Sequence, residues 1–405
     1  MRQAWALIEA AARKLGASFL PRKGGGGNCG QLWSCLAALT LASGLAQAQD
    51  VSPFAPAAQP KPKILRLLAG ANAFDPAIFE AFERESGYSV AYDAYADAAS
   101  LAAKLRDGPY DLMLLPGPAL AKAIVGGALQ KLDRKAASSA KLISPMLLLK
   151  LSAYDPSGAY SLPADWSADG LIFDADKATA RLGAPLISWS ALFAPANSAK
   201  MRECGIALPN QRDALFIAAW RYLNFDLTRL REIDVKAAAD VLLRLRPLAK
   251  YFLVDSAARL LASKAACIDI GEASMARFAS KASAEAGAPL DVRFAIPREG
   301  GPMSLDAFGV PRDAPEPTQA LALMTYLSRP DISAQNASRA GVVSALASGQ
   351  DATLKMLWPT GAFDAALEAL VAREWERVRA GLAKPGKPIK SIKPTKPGKK
   401  EPTRQ

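Results

Sequence analysis

Between Ile64 and Pro116 three short apolar runs alternate with two amphipathic stretches, and no other feature of the chain limits its fold as tightly. Ile64–Leu68 has the unbroken apolar character of a buried strand. Asp75-Pro76 then supplies an N-cap carboxylate and a proline at the first helical position. Ile78, Phe79 and Phe82 follow at the spacing of one helix face, and Gly87 stops the helix. Tyr88, Val90 and Tyr92 alternate as a second strand. Ser100–Arg106 is helical and ends at Gly108. Asp111–Leu115 is a third strand, halted by Pro116. A β-α-β-α-β opening of this kind requires crossover connections, and these give a parallel sheet covered by helices.

The rest of the body keeps the same α/β character. Gly170–Phe173, Cys204–Leu208, Tyr251–Val254, Cys267–Ile270, Val292–Ile296 and Asp306–Val310 have strand character. Arg212–Leu223, Val235–Leu245, Thr318–Leu327 and Ala362–Leu382 have helical character. Roughly 320 residues of this pattern are too many for one compact core and enough for two lobes.

The two ends do not share the pattern. Arg22 and Lys23 precede the Gly24–Gly27 run, an apolar stretch covers Leu32–Leu45, and Ala46-Gln47-Ala48 closes it. Charge, apolar segment and small-x-small site in that order form the plan of a secretory signal peptide cleaved after Ala48, with an uncleaved anchor as the alternative. Residues 49–61 are a Pro/Ala/Gln linker. Beyond Pro385 the chain is Lys/Pro-rich, with Lys384, Lys387, Lys390, Lys393, Lys396 and Lys399 at every third position. That period matches polyproline II and lines up one lysine face. Such a tail is disordered and solubilising, or adheres to an anionic surface. Of the formal charge of +12, the ends at 1–48 and 385–405 carry +4 and +6, leaving +2 for the body. A nearly neutral body gives no basic face for nucleic acid.

The chain contains no histidine. This excludes Ser-His-Asp triads and His-ligated metal centres. No phosphate-binding glycine fingerprint is present, so no nucleotide cofactor is indicated. No pair of carboxylates stands out at catalytic spacing, and the expectation is a protein that is not an enzyme and needs no cofactor or metal. Cys29 and Cys35 fall within the signal segment, which leaves Cys204 and Cys267. In an oxidising compartment such a pair forms one disulfide, or remains as two buried thiols.

The order of motifs along residues 62–384 resembles the putrescine- and spermidine-binding proteins of polyamine ABC importers. LRLLAGANAFDPAIFEAFERESGYSVAY, KLRDGPYDLMLLP, CGIAL with ALFIAAWRYLN, LLRLRPLAKYF, ACIDIG, FAIPREGGPMSLDAFGVP, YLSRPDISAQ and WERVRAGL carry the resemblance. It implies a two-lobed α/β fold of the type II periplasmic-binding-protein kind, with the ligand in a cleft between the lobes and closure by a hinge. The implied division is lobe 1 at 62–162 and 282–330, and lobe 2 at 163–281 and 331–384. Crossings then fall near Ser280–Ala284 and Arg329–Ser333. Cys204 and Cys267 stand where putrescine-binding members have a disulfide. The implied partners are a small solute, a polyamine or another small cation, and an inner-membrane ABC permease. The implied protein is a periplasmic monomer.

A polyamine site needs carboxylates for the ammonium groups and aromatic faces for stem and charge. By the resemblance, the family's aromatic positions fall here near Gly70, Ala73, Gly271 or Glu272, and on Ser304, its cleft Tyr or Ser near Pro118 or Ala119, and its second-lobe glutamate on Ala214. The candidate ligand set is Asp306, Glu272, Ser304, Asn72 and Asp255. Asp306 is the one family carboxylate that meets its own residue type; its other reading is a strand-start cap. Glu272 is an added carboxylate or a turn residue, and Asp255 is a contact or a cap for the helix after Ser256. Asp306 and Glu272 together would hold one ammonium group and not a long dication. A bilobed fold that has lost its solute and serves a structural or regulatory role remains the alternative.

Overall fold

The computed structural model describes residues 63–133, 138–254 and 257–381. The signal segment, the linker, the Lys/Pro tail and Asp255 lie outside the described residues. β1 (Lys63–Gly70) pairs in parallel with β2 (Tyr88–Tyr95) and with β3 (Leu112–Pro116). The helix Pro76–Ser86 joins β1 to β2, and it begins and ends where the sequence predicts. The Asp75 carboxylate accepts from the Ala77 amide at 3.1 Å, and Gly87 closes the helix at φ 74°.

β4 (Leu162–Asp174) is the longest strand, at 13 residues. Later strands are β5 (Ala207–Pro209), β6 (Tyr251–Val254), β7 (Ile268–Glu272), β8 (Val292–Ala295), β9 (Gly301–Gly309), β10 (Val343–Ser344) and β11 (Leu357–Pro359). The main sheet runs β10-β4-β9-β3-β1-β2. β4 is antiparallel to β9 over its first half, and to β7 and β8 over its second. β5 and β6 form a separate parallel pair.

Two large cores form on this framework. The first gathers β1, β3, the start of β4, β9 and the helix Pro317–Leu327, including Leu65, Leu114, Trp166, Met303 and Leu323. The second is built around the helices Arg212–Tyr222 and Glu232–Leu245, with Leu171, Phe216, Trp220, Ile268 and Trp375. These are the two lobes expected from the sequence. A small alanine-rich cluster with Ile172, Ala276 and Val292 backs the second lobe.

The expected boundaries need correction, because the chain changes core along extended strands and not in helices. Trp166 and Ala168 still belong to the first core and Leu171 to the second, so β4 itself is the first crossing. Ser280–Ala284 lies inside the helix Ala273–Glu285, whose Ala276 and Ala279 pack behind the second lobe. The return comes instead at the start of β9, where Met303 rejoins the first core. Arg329–Ser333 opens the helix Pro330–Ala340 and stays with the first core through Leu327 and Ile332. The last crossing is β11, where Leu357 packs in the first core and Trp358 against the second.

Glycines allow the strands to approach at these crossings. A Cβ on Gly170 would stand 2.3 Å from the Ala295 carbonyl oxygen. Gly300 has φ +80°, and a Cβ there would stand 1.9 Å from the Met356 carbonyl oxygen. Cys204 and Cys267 form a disulfide, with Cα atoms 5.6 Å apart. It ties the residue before β7 to the turn that leads into β5.

Candidate functional site

Side chains two residues apart on a strand share a face. Asp165, Ser167 and Asp169 therefore lie on one face of β4, where that strand leaves the first core. The antiparallel register places Asp306 of β9 directly opposite Asp165, and Ser304 opposite Ser167. On the other flank Glu272, the last residue of β7, stands opposite Asp169. Two opposed pairs of like charge result, with a pair of serines between them. Residues opposite each other in an antiparallel ladder have Cβ atoms about 5 Å apart, and like charges there destabilise the pairing. Asp165 and Asp169 are separated by about 13 Å of strand.

Among the described residues none of these four carboxylates forms a salt bridge with a lysine or arginine. Ser167 Oγ donates to Glu272 Oε1 at 2.6 Å, and Ser274 Oγ to Glu272 Oε2 at 3.3 Å. Asp169 is only 3 % exposed, and its Oδ1 has no hydrogen-bond partner among the described residues. Burial pushes the Asp169 carboxyl up to about 8, with the Glu272 charge adding to it. Burial and then Glu272 push Asp306 up to about 7. Asp165 is carried well above the ordinary carboxyl range by burial, then by Asp306 and Glu272. The titrations of Asp165, Asp169 and Asp306 are therefore not independent of their charged neighbours.

Two tyrosines of the first lobe border the cluster. The Tyr95 hydroxyl donates to the Leu114 carbonyl at 3.1 Å, and the Tyr154 hydroxyl donates to the Thr360 carbonyl. Burial raises both phenols; Asp306 and Asp165 add to the rise at Tyr95, and Asp213 and Asp306 at Tyr154. Asp213, at the start of the helix Arg212–Tyr222, pairs with Arg212 at 2.6 Å. Asp269 of β7 points to the opposite face from Glu272. It is fully buried, neither oxygen makes a well-formed hydrogen bond among the described residues, and burial pushes it well above the usual range despite the nearby Ile270 amide.

Three of the five candidate residues meet here: Asp306, Glu272 and Ser304. Asn72 does not; it is an exposed turn residue after β1, at φ 71°. Ala214, where the resemblance places the family's glutamate, is buried in the first turn of the helix Arg212–Tyr222. Sequence reasoning missed Asp165, Ser167 and Asp169. Their signal was the polar alternation D-x-S-x-D inside an otherwise apolar strand. With them the site has two carboxylate pairs, where the sequence suggested a hold on one ammonium group.

No cluster of acidic or cysteine side chains among the described residues has the arrangement to hold a metal ion. A profile of the bacterial extracellular solute-binding proteins matches residues 77–358. The chain belongs to this family. It is 29 % identical over 369 residues to the putrescine-binding periplasmic protein SpuD of Pseudomonas aeruginosa, covering 85 % of this chain and 98 % of that one. It is 31 % identical over 275 residues to the putrescine-binding periplasmic protein PotF of Escherichia coli, covering 67 % and 74 %. Among solved structures, the spermidine/putrescine substrate-binding protein PotD of Streptococcus pneumoniae superposes with a TM-score of 0.68 at 16 % identity, over 79 % of this chain and 99 % of that one. That likeness supports the two-lobed α/β architecture. Membership of this family makes the protein a solute-binding component and not an enzyme, as the motif order implies.

Proposed function

We propose that the protein captures a small organic dication, a di- or polyamine, between its lobes in the periplasm and delivers it to an inner-membrane ABC permease. The observation that carries this reading is the pair of opposed acid pairs, Asp165 with Asp306 and Asp169 with Glu272, unmatched by any lysine or arginine among the described residues. Near neutral pH the raised values of Asp169 and Asp306, and the upward shift of Asp165, leave the empty cluster only partly ionised, so an arriving cation favours release of their protons. Ammonium groups at the two pairs would neutralise the resulting charge by charge-assisted hydrogen bonds. Ser167 and Ser304 would flank the methylenes between them. The names of the relatives, putrescine- and spermidine-binding, point to the same ligand chemistry. Hinged closure at β4, β9 and β11 would then bring the second lobe over the cation.

A melting screen of the exported chain at pH 8 tests the reading, with putrescine, cadaverine, spermidine, arginine and a matched monoamine. A ligand at 100 times its Kd adds about 2.7 kcal/mol of stability. Diamines should raise the melting temperature more than the monoamine of equal length. Indifference to every cation, or equal response to the monoamine, rejects a dication site.

A further inference from the structure

At the first-lobe end of the carboxylate ladder, Asp165 forms part of the wall of a small cavity of about 20 Å³. Phe74, Leu162 and Phe308 make its apolar side. Four polar side chains line the remainder: Ser139, Ser328, Asn336 and Ser333, which are 3 %, 6 %, 7 % and 9 % exposed; Ser333 is already hydrogen-bonded to Ser344 at 2.7 Å. Ser139 Oγ, Ser328 Oγ and Asn336 Nδ2 are buried and have no hydrogen-bond partner among the described residues. Buried polar atoms are almost always paired, with protein or with ordered water. Three orphans converging on one cavity therefore mark a built site. The cavity admits about one water-sized group.

The donor pattern decides what that group is. Asn336 Oδ1 accepts from the Asp75 amide at 3.4 Å, which leaves the NH₂ group as the unpaired end of a side chain that lines the cavity. An NH₂ group only donates and needs a lone pair opposite it. An ammonium group or a metal cation has none to offer and would meet the N–H hydrogens head-on. A neutral oxygen accepts from Asn336 and donates to the two serine oxygens.

We propose that this cavity is a site for one neutral oxygen, a water or the hydroxyl end of a bound amine, and that it is closed to cations. The cationic track then ends at Asp165. An ammonium group can reach the acid pairs but not the space behind them, which fixes where the charged end of a ligand stops. The proposal deepens the dication reading; its central claim, an oxygen on Asn336, stands or falls without any amine bound.

Crystals of the exported chain test it, grown without amine and then soaked either in a thallium(I) salt or in 4-aminobutan-1-ol. The expected map has one spherical peak within hydrogen-bond distance of Asn336 Nδ2 and at least one serine Oγ, with no anomalous thallium signal there. In the amino-alcohol soak a separate peak identifies water, and density continuous with the carbon chain identifies the ligand hydroxyl. A thallium peak in the cavity, or an empty cavity, overturns the proposal. In solution, Asn336→Leu and the milder Ser328→Ala should leave putrescine affinity within about twofold of the parent, as expected for groups that do not touch the charge. A loss of about tenfold or more in both variants, with far-UV dichroism unchanged, would mean that an ammonium group occupies the cavity, and overturns it too. If no amine binds even to the parent, the dication reading fails, and the crystal without amine still decides the oxygen site.

Discussion

Asp169 makes the stability of the empty protein depend on pH in a direction opposite to ordinary acid unfolding. Its carboxyl is at about 8 in the folded chain against an ordinary value of 3.8. A folded pKa above the unfolded one means that the folded state binds the proton more tightly. The associated stability is fully present below about 3.8 and is lost as pH rises through 8. Each tenfold change in proton affinity is worth about 1.4 kcal/mol, so this one group withholds at most about 6 kcal/mol from the empty fold at high pH. Entry of water into the crevice on ionisation lowers the loss to about 2–3 kcal/mol. Asp306, at about 7, adds to the same trend. The assay is urea unfolding of the amine-free chain at pH 5.5 and 8.5. The parent should be less stable at pH 8.5 by a few kcal/mol. Asp169→Asn keeps the shape and removes the charge, so its midpoint should fall much less between the two pH values, and at pH 8.5 it should exceed the parent. A parent whose stability is flat or rises across this interval, or an Asn variant that parallels it, would refute the argument from burial.

Asp306→Asn should weaken putrescine binding by about tenfold or more, because a charge-assisted bond is lost, while the amine-free melting temperature at pH 8 does not fall; titration calorimetry and melting together check this. Cation affinity should rise between pH 6 and 8.5 with protons released on binding, seen as a dependence of the calorimetric heat on buffer ionisation enthalpy. Cys267→Ser opens a link between residues 63 apart in sequence and should cost about 4 kcal/mol of stability, read by denaturant unfolding under oxidising conditions. Gly300→Ala combines a left-handed backbone with a Cβ 1.9 Å from the Met356 carbonyl, and should cost more than about 2 kcal/mol in the same measurement.

The first lobe was legible in the sequence because its signals are local. The Asp75 cap, the Ile78–Phe79–Phe82 stripe and the Gly87 stop each act within one helix, and β1 to β3 follow one another by short crossovers. Two features hid the rest. The first part of β4, Leu162–Asp169, contains Pro163, Asp165, Ser167 and Asp169, and such residues argue against a strand when taken alone. It is a strand because β9 on one side and the short β10 on the other supply its ladder bonds. The lobe boundaries were misplaced for a related reason. The chain changes core along extended segments such as β4 and β11, where successive residues can reach different cores, whereas the helices at 273–285 and 330–340 each pack along one body.

The site was half legible for a reason of geometry. Asp306 and Glu272 are found by motif order, since each belongs to a short conspicuous run. Asp165 and Asp169 become meaningful only when Asp165 is set against Asp306, 141 positions later in the chain, and Asp169 against Glu272. Register between distant strands is a tertiary property; a slip of one residue would turn all three polar side chains of β4 into the sheet's other face. The apolar residues of β4 settle the register. Trp166 must enter the first core, while Leu171 and Phe173 must enter the second. Satisfying both cores at once leaves Asp165, Ser167 and Asp169 no direction but the one in which Ser304, Asp306 and Glu272 also point. The acid pairs are thus positioned by the packing of two hydrophobic cores, and the strand that joins those cores is also the strand that carries the charge.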